Sequence, residues 1–344
     1  MKRTGLLLLS LIVALFVAEA ALRLLGFTPA HIGENNTGIR VEPDSFCVID
    51  NTLGWRLGNG CYTTYLHNTA ILYHCTDSLG NRQVLEYTHT IDTPVTKLYL
   101  YGCSYTFGQS VSDTNNLAYY IQQASTHIQV VNKGVPGFGL TQMFLSLKQD
   151  VEHGRKPQVA VFNYAAFQDG RTPLNKAWAR SFKYATELSY GKEFVDFKYP
   201  YSTLNNSNTI EIKYMPWNEM PTDFPLRAYS ALSNLVNTNI DNYNEKSNAE
   251  GYKKTSMRLA LAIADYCNKN NIKLVFGGFD SGSKQILEVM SKQANVKTLY
   301  YDVDISLPGN NCAPFDPFHP SPKVQLIYAG KLLALLNANK WLTP

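Results

Sequence analysis

The chain has 344 residues, a formal net charge of +4 at pH 7, 45% hydrophobic residues and 17% charged residues. This length accommodates one large α/β domain with extensions. The small net charge gives no indication of an acidic partner, and we expect no nucleic-acid binding.

The first 27 residues are a candidate membrane segment. Lys2 and Arg3 precede an apolar run from Gly5 to Ala18, and the apolar character resumes after Glu19. Basic residues before an apolar segment orient it with its N-terminus in the cytoplasm. Ala18-Glu19-Ala20 has the small-x-small form of a signal-peptide cleavage site. The whole stretch is also close to spanning length, so we favour a signal anchor and keep the signal peptide as the alternative. In either case, the rest of the chain is exported.

Residues 28–95 are predicted to form a small β-rich N-terminal extension. Glycines, asparagines and short alternating runs such as Tyr62–Leu66 and Gln83–Tyr87 indicate short strands and turns. Trp55 and the tyrosines of the first run are expected to pack this layer on the rest of the chain. A carbohydrate-contacting face is the weaker alternative, since such rings more often cover a core edge.

Strands and helices alternate over residues 96–340. The predicted strands are Lys97–Gly102, Gln129–Asn132, Gln158–Tyr164, Lys273–Gly277 and Lys297–Val303. The predicted helices are Asn116–Ser125, Thr141–Val151, Ser256–Asn270, Lys284–Gln293 and Pro322–Leu336. This alternation predicts an α/β fold, a three-layer doubly wound parallel sheet with helices on both faces. Residues 172–254 have no clean periodicity, and a loop of this length predicts an inserted cap.

A serine follows the first predicted strand directly. The alternating Leu98-Tyr99-Leu100-Tyr101 ends in Gly102-Cys103-Ser104. In α/β proteins, the loops after parallel strands carry the reactive groups, so Ser104 is a candidate nucleophile. A solvated loop serine is the alternative.

Near the C-terminus, Asp316 and His319 lie three residues apart in a Pro-rich loop before the last helix. A nucleophilic serine needs a base, and the base needs a group that holds its tautomer. His319 and Asp316 are the residue types for these two roles. The alternative is a surface Asp and His beside a helix that Ser321 caps.

The six cysteines agree with export, because an oxidising compartment permits disulfides. Cys47, Cys61 and Cys75 lie in one segment, whereas Cys103, beside Ser104, is expected to be a packed free thiol. At least one other cysteine is then also free or bonds to another chain. No pair has Cys-x-x-Cys spacing, and no Walker loop or dinucleotide fingerprint is present, so we expect neither a metal nor a cofactor.

Three stretches of this sequence resemble the conserved blocks of the SGNH (GDSL-like) hydrolases. Gly102-Cys103-Ser104 stands where the family has Gly-Asp-Ser, and the Tyr-Thr-Phe-Gly that follows is typical of the bacterial branch. Gly137, within Val131–Gly139, matches the family glycine, and Asp316-x-x-His319 matches the last block. The third block, Gly-x-Asn-Asp, is missing, and Val159–Arg171 stands in its place.

The resemblance implies a flavodoxin-like sheet and a Ser104–His319–Asp316 triad. It also implies an oxyanion hole formed by the backbone N–H groups of Ser104 and Gly137. For the third donor we favour the Gln168 amide over Asn163, which is expected to lie within a strand. The absence of any side-chain donor stays open.

The function implied is an exported serine esterase or deacylase acting on an acylated glycan or lipid. An O-acyltransferase acting on a cell-surface polysaccharide and a catalytically silent glycan-binding protein are the alternatives. The implied location is the bacterial inner membrane, with one span and the catalytic domain in the periplasm. A secreted or periplasmic protein after signal cleavage is the alternative.

Overall fold

The computed structural model describes residues 2–30, 39–43, 46–66, 69–84, 95–190, 196–222 and 224–342. The described residues of the N-terminal part form one long helix and five short strands. These are α1 (Lys2–Leu24), β1 (Ile39–Glu42), β2 (Cys47–Asp50), β3 (Gly54–Leu57), β4 (Gly60–Leu66) and β5 (Thr69–Thr76). Over Thr4–Leu24, α1 is long and apolar enough to cross a membrane and has no buried residue, which fits either an anchor or a signal sequence.

The remaining elements follow in chain order. Up to the predicted cap, they are β6 (Thr96–Gly102), α2 (Ser104–Phe107), α3 (Leu117–Gln123), β7 (Ile128–Gly134), α4 (Leu140–Glu152), β8 (Val159–Tyr164) and α5 (Gln168–Arg171). The predicted cap contributes α6 (Lys176–Tyr190), β9 (Lys198–Leu204), β10 (Ile210–Pro216) and the start of α7 (Ala231–Lys269). The C-terminal elements are β11 (Lys273–Gly278), α8 (Lys284–Ser291), β12 (Val296–Tyr300), β13 (Asn311–Cys312), β14 (Asp316–Pro320) and α9 (Pro322–Ala338).

Five parallel strands form the central sheet in the order β7-β6-β8-β11-β12. In chain order this is 2-1-3-4-5, the flavodoxin-like arrangement. The predicted α/β doubly wound sheet is therefore confirmed. All residues of β8 are buried, as expected for a central strand covered on both faces.

The two faces of the sheet are covered by different helices. Tyr99 and Tyr101 of β6 lie in a core with residues of α4, the C-terminal half of α7, and α8. Leu98 and Leu100, which point to the opposite face, lie in a second core with α3 and α9. The three layers follow from this alternation.

The start of α7 differs from the prediction. The helix predicted from Ser256 begins at Ala231 and runs for 39 residues. Its first half is rich in Asn, Ser and charged residues that are mostly exposed, and only one narrow apolar stripe, from Leu232 to Tyr243, marks the helix within this polar sequence. Ser230 caps the first turn, where its side chain accepts a hydrogen bond from the Ser233 N–H.

The N-terminal extension joins the central sheet through Arg82. This residue forms a bridge with Asn132 of β7, while β1, β4 and β5 form an antiparallel sheet of their own. Trp55 is buried and packs on Phe138, as predicted. The predicted strand Gln83–Tyr87 falls mostly outside the described residues.

One disulfide is formed within the extension. Cys61 and Cys75 lie directly opposite each other on β4 and β5 and are bonded. Cys103 is a buried free thiol, as predicted, and Cys267 and Cys312 are also free.

Candidate active site

Ser104 lies at the junction of β6 and α2, at the carboxyl edge of the sheet. Two glycines allow this turn to lie close to its neighbours. A Cβ on Gly102 would overlap the Thr106 side chain, and one on Gly134 would overlap the Phe107 backbone. The close approach leaves the Ser104 side chain 6% exposed, at the bottom of the site.

The structure brings Ser104, His319 and Asp316 together, although 215 residues separate the serine from the histidine. His319 Nε2 lies 2.9 Å from Ser104 Oγ, and His319 Nδ1 lies 2.7 Å from Asp316 Oδ2. An ionised carboxylate only accepts hydrogen bonds, so Nδ1 carries the proton and Nε2 accepts from the serine hydroxyl. The predicted Pro-rich loop is in fact partly a strand, because β14, which carries both residues, pairs with β13.

Asp316 is held in its ionised form by its neighbours. Burial alone raises the pKa of Asp316, but hydrogen bonds from His319 and Ser110 outweigh it, and the pKa lies below its usual value. The Phe318 N–H adds a third hydrogen bond, to Oδ1 at 3.0 Å. Ser110 was not predicted from the sequence, because it lies outside every block and meets Asp316 only in the folded chain.

The loop that carries Ser110 is fixed by a buried arginine from the extension. Arg82 forms an ion pair with Asp113 at 2.8 Å, and both side chains are almost completely buried. Its guanidinium also donates to the carbonyl oxygens of Phe107, Gly108 and Val111. Arg82 was missed as well, since its partner is 31 residues away and no local pattern marks the pair.

Gly137 lies in the loop after β7, next to the Ser104 turn. Its φ of +87° is in the left-handed region that favours glycine. Trp55 supports this loop by donating from Nε1 to the Pro136 carbonyl at 3.3 Å. The loop is tied to the end of β6 because the Val135 N–H donates to the Gly102 carbonyl at 3.1 Å.

Gln168 opens α5 in the loop after β8. Its side chain is fully buried, and neither Nε2 nor Oε1 has a hydrogen-bond partner within the described part of the chain. One turn later, Thr172 accepts a hydrogen bond from the Leu140 N–H, so this face of α5 is directed toward the segment that follows Gly137. A buried amide without a hydrogen-bond partner costs free energy of folding.

Asn163 lies within β8, as expected. Its Oδ1 accepts a hydrogen bond from the Tyr301 hydroxyl at 2.9 Å. The facing residue of β11 is Gly277, where a Cβ would lie 2.7 Å from this same Oδ1. Asn163 therefore bonds across the sheet to a core tyrosine.

Two cavities flank Phe167, whose ring contacts Tyr105, which in turn contacts the His319 ring. The first, about 360 Å³, is lined by residues that include Tyr105, Phe167, Phe279 and Asp280. The second, about 340 Å³, is lined by residues that include Phe167, Arg171, Asn175, Trp178 and Glu245. Arg171 lies between the Phe167 and Trp178 rings, 4.5 and 4.3 Å from their centres. Among the described residues, no group of three or more His, Cys, Asp or Glu side chains is placed to hold a metal ion.

A scan against protein-family models finds none that matches the chain. A search of curated proteins also finds no match.

A search of solved structures matches several chains, three of which come from bacteria. The psychrotrophic esterase EstA from a Pseudoalteromonas species, inhibited by monoethylphosphonate, is 11% identical, with a TM-score of 0.40 over 72% of this chain and 100% of that one. A protein assigned to the lipolytic G-D-S-L family from Desulfitobacterium hafniense is 15% identical, with a TM-score of 0.37, and the match covers 70% of this chain and 99% of that one. A G-D-S-L lipolytic protein from Veillonella parvula is 12% identical, with a TM-score of 0.28, and the match covers 71% of this chain and 99% of that one.

These identities are too low to transfer a role to any residue, so the assignment depends on features of this chain itself. Three of the four family blocks are present, the sheet has the 2-1-3-4-5 order, and the Ser104, His319 and Asp316 side chains are in hydrogen-bond contact. These features occur together in one molecule and agree with the resemblance of the sequence to the SGNH (GDSL-like) hydrolases.

Proposed function

We propose that the protein is an exported serine esterase or deacylase that acts on an acylated glycan or lipid. The observation that carries the proposal is the continuous hydrogen-bonded path from Ser104 Oγ through His319 to Asp316. A silent glycan-binding protein needs no such path, so the geometry favours an enzyme.

In the proposed reaction, Ser104 Oγ attacks the ester carbonyl carbon while its proton passes to His319 Nε2. The tetrahedral intermediate then expels the alcohol, which takes the proton back from His319. Water repeats the sequence on the acyl-enzyme and releases the carboxylic acid with free Ser104. Asp316 stabilises the charged imidazole throughout.

The oxyanion would be held by the backbone N–H groups of Ser104 and Gly137 and by Gln168 Nε2. Each such donor is worth roughly 3 to 4 kcal/mol in the transition state. Gln168 is supported by its buried amide without a partner in the described part of the chain. Asn163 is the weaker candidate because it lies within β8 and its Oδ1 is held by the Tyr301 hydroxyl, although its Nδ2 is also buried without a partner among the described residues.

The two cavities beside Phe167 favour a polar substrate. Phe167 and Trp178 hold the Arg171 guanidinium between their rings, and Asn175, which donates to Glu245, lies on the same wall. A wall that combines aromatic rings with charged and amide groups suits a sugar ring that carries an acyl ester. A glycan is therefore the preferred substrate class, and an acylated lipid is the alternative that the assay below distinguishes.

The proposed location is the bacterial inner membrane, with α1 as a retained single-span anchor and the catalytic domain in the periplasm. Support comes from Glu19, whose carboxylate accepts the Ala231 and Leu232 N–H groups of α7 at 2.9 and 3.0 Å. Cleavage of a signal peptide would remove Glu19, and the mature domain would lose this contact.

A fluorophosphonate probe tests the nucleophile. We expect it to label the wild type and the control Ser112→Ala, and to leave Ser104→Ala unlabelled. Labelling of Ser104→Ala at the wild-type level would show that Ser104 is not the nucleophile.

Substrate assays test the reaction class. Hydrolysis of p-nitrophenyl acetate and of acetylated oligosaccharides, with Ser104→Ala inactive, is expected. If the enzyme released an acyl group only from a phospholipid, the lipid alternative would be the correct one. Acyl transfer that requires an added sugar acceptor would change the assignment to an acyltransferase.

A further inference from the structure

An exposed apolar surface lies beside the point where α1 meets the catalytic domain. We call it the juxtamembrane face, and it consists of Phe224, Leu226, Tyr229, Val236, Ile240 and Tyr243. The last three follow each other at helical spacing on α7 and form one stripe with the half-buried Leu232. Exposed apolar residues in one continuous patch indicate a contact surface.

The juxtamembrane face is joined to α1 by specific hydrogen bonds. Glu19 accepts from the Ser230 hydroxyl at 2.8 Å, in addition to the first amides of α7. Arg23 donates to the Tyr229 carbonyl at 2.7 Å. Beyond the end of α1, the Ala30 N–H donates to the Arg227 carbonyl at 3.0 Å. These contacts fix the 224–236 segment against the outer end of the candidate span.

An apolar cleft of about 750 Å³ runs between α1 and this segment. Ile12, Leu15 and Phe16 line it from α1, and Leu226 and Val236 are among the residues that line it from the domain. Glu19 and Arg23 are its charged members on α1. A cleft that is apolar with two charged groups at one end has the polarity of a phospholipid.

The depth of the cleft follows from the helix rise. Glu19 is 17 residues beyond Lys2, which corresponds to about 26 Å along a helix, close to the roughly 30 Å of a hydrocarbon core. Ile12 lies seven residues before Glu19, or about 10 Å deeper in the bilayer. With Lys2 at the cytoplasmic boundary, the cleft therefore opens within the leaflet on the side of the catalytic domain.

We infer that the juxtamembrane face is immersed in that leaflet and that phospholipid acyl chains fill the cleft. The inference depends on the proposed anchor but not on the proposed esterase activity. Lipid is the preferred occupant because the face continues the exposed surface of a membrane-length helix, and because exposed tyrosines are typical of the membrane–water interface. The catalytic domain would then hold a fixed orientation against the membrane and act on substrates at its surface.

Photo-crosslinking with lipid tests the inference. The full chain is placed in nanodiscs of phosphatidylethanolamine and phosphatidylglycerol, at one copy per disc, with a phospholipid that carries a diazirine in its acyl chain. After irradiation, we expect lipid adducts in residues 224–243 as well as in α1. Leu307 and Leu326, which are similarly exposed but distant in sequence, should carry none.

Two matched variants sharpen the test. Ile240 is 47% exposed and Leu326 is 54% exposed, and both lie on helices. Ile240→Glu should lower the adduct yield over residues 236–243 at least fivefold, whereas Leu326→Glu should leave it unchanged.

Adducts confined to α1 would overturn the inference while leaving the anchor in place. Adducts over 224–243 that disappear at two copies per disc would assign the face to a second copy of the chain, which also overturns it. Absence of α1 from the purified protein would contradict both the anchor and this inference. None of these readouts uses ester hydrolysis, so they are independent of the proposed reaction.

Discussion

Ser110 donates a hydrogen bond to the same carboxylate oxygen of Asp316 that receives the His319 Nδ1 contact. The serine therefore shares in holding the charge that orients the proposed base. Ser110 contacts neither the nucleophile nor the reacting atoms, so we regard it as a positioning residue.

Ser110→Ala should lower kcat by about tenfold, equivalent to about 1.4 kcal/mol of barrier. Loss of this donor raises the pKa of Asp316 and leaves the carboxylate more basic toward His319. The acid limb of the kcat/KM profile should therefore move to higher pH. Ser112→Ala, two residues along, is the control. An unchanged acid limb in Ser110→Ala would mean that Ser110 has only a structural role.

Gln168→Ala should lower kcat by roughly 10² to 10³ with KM nearly unchanged, because an oxyanion contact strengthens only as charge develops. Gln168→Asn should recover little activity, since its shorter arm moves the N–H away from the oxyanion. The free energy of unfolding should change little, because the lost side-chain packing is offset by removal of an unpaired buried amide. Steady-state kinetics and denaturant unfolding separate the two effects.

Asn163→Ala should have the opposite signature. It removes the acceptor of the buried Tyr301 hydroxyl and should lower the free energy of unfolding by about 1 to 3 kcal/mol. Its kcat should stay near the wild-type value, and Tyr301→Phe is the matched variant for the same hydrogen bond. A large loss of kcat in Asn163→Ala, with none in Gln168→Ala, would transfer the third oxyanion donor to Asn163.

Arg82→Met should destabilise the protein by about 3 to 5 kcal/mol, because it leaves Asp113 charged, buried and without this cation. The carbonyl groups of Phe107, Gly108 and Val111 also lose their donor, so the loop of Ser110 should loosen and kcat should fall. Denaturant unfolding of the full chain measures the first effect.

The double variant Arg82→Met/Asp113→Asn is the control for the buried charge. It should be more stable than Arg82→Met alone, since the buried carboxylate that has lost its cation is replaced by a neutral amide. Equal stability of the single and double variants would contradict a charge penalty and leave packing as the cause.

His74 should make the fold sensitive to acid. Its ring lies buried against Phe46, Tyr62 and Phe107, and burial, followed by the charge of Arg82, lowers its pKa from 6.5 to about 3. The unfolded chain then binds a proton that the folded chain does not, so stability falls as pH drops from about 6.5 toward about 3. Between pH 7 and pH 5 the loss should be about 2 kcal/mol.

Unfolding at a series of pH values measures this loss. In His74→Phe the dependence on pH over this range should become correspondingly weaker. The exposed His153→Gln should keep the wild-type dependence. An equal pH dependence in wild type and His74→Phe would contradict the neutral buried state of His74.

The purified protein should keep α1. Cleavage after Ala20 would remove Glu19 and with it the acceptor for the first amides of α7, which lowers the stability of that helix end. Intact-mass measurement should therefore find the N-terminal segment in the membrane fraction. A soluble mature chain that begins at Ala21 would establish a signal peptide instead. Glu19→Gln, which keeps an oxygen acceptor, should unfold closer to wild type than Glu19→Ala.

The sequence by itself determined the strand–helix alternation of the sheet and the two short segments that carry Ser104 and Asp316/His319. These are local patterns: the strands alternate or are continuously apolar, and the site residues stand at fixed spacing beside glycine or proline. Because the carboxyl ends of parallel strands share one edge, the alternation also implied that these segments meet. The first half of α7 was not predicted because most of its residues are polar and exposed, and one narrow apolar stripe is a weak sign of a helix.

Only the tertiary structure decided which groups support the site. The Ser110–Asp316, Arg82–Asp113 and Glu19–α7 contacts join residues 206, 31 and 212 positions apart. A hydrogen bond or ion pair depends on distance in space, and polar residues in irregular segments carry no periodicity that would reveal their partners. The same reason distinguishes Gln168 from Asn163, which are both amides in the third-block segment. Only packing shows that Asn163 Oδ1 accepts a hydrogen bond from Tyr301, whereas both polar atoms of the Gln168 side chain are buried without a partner in the described part of the chain.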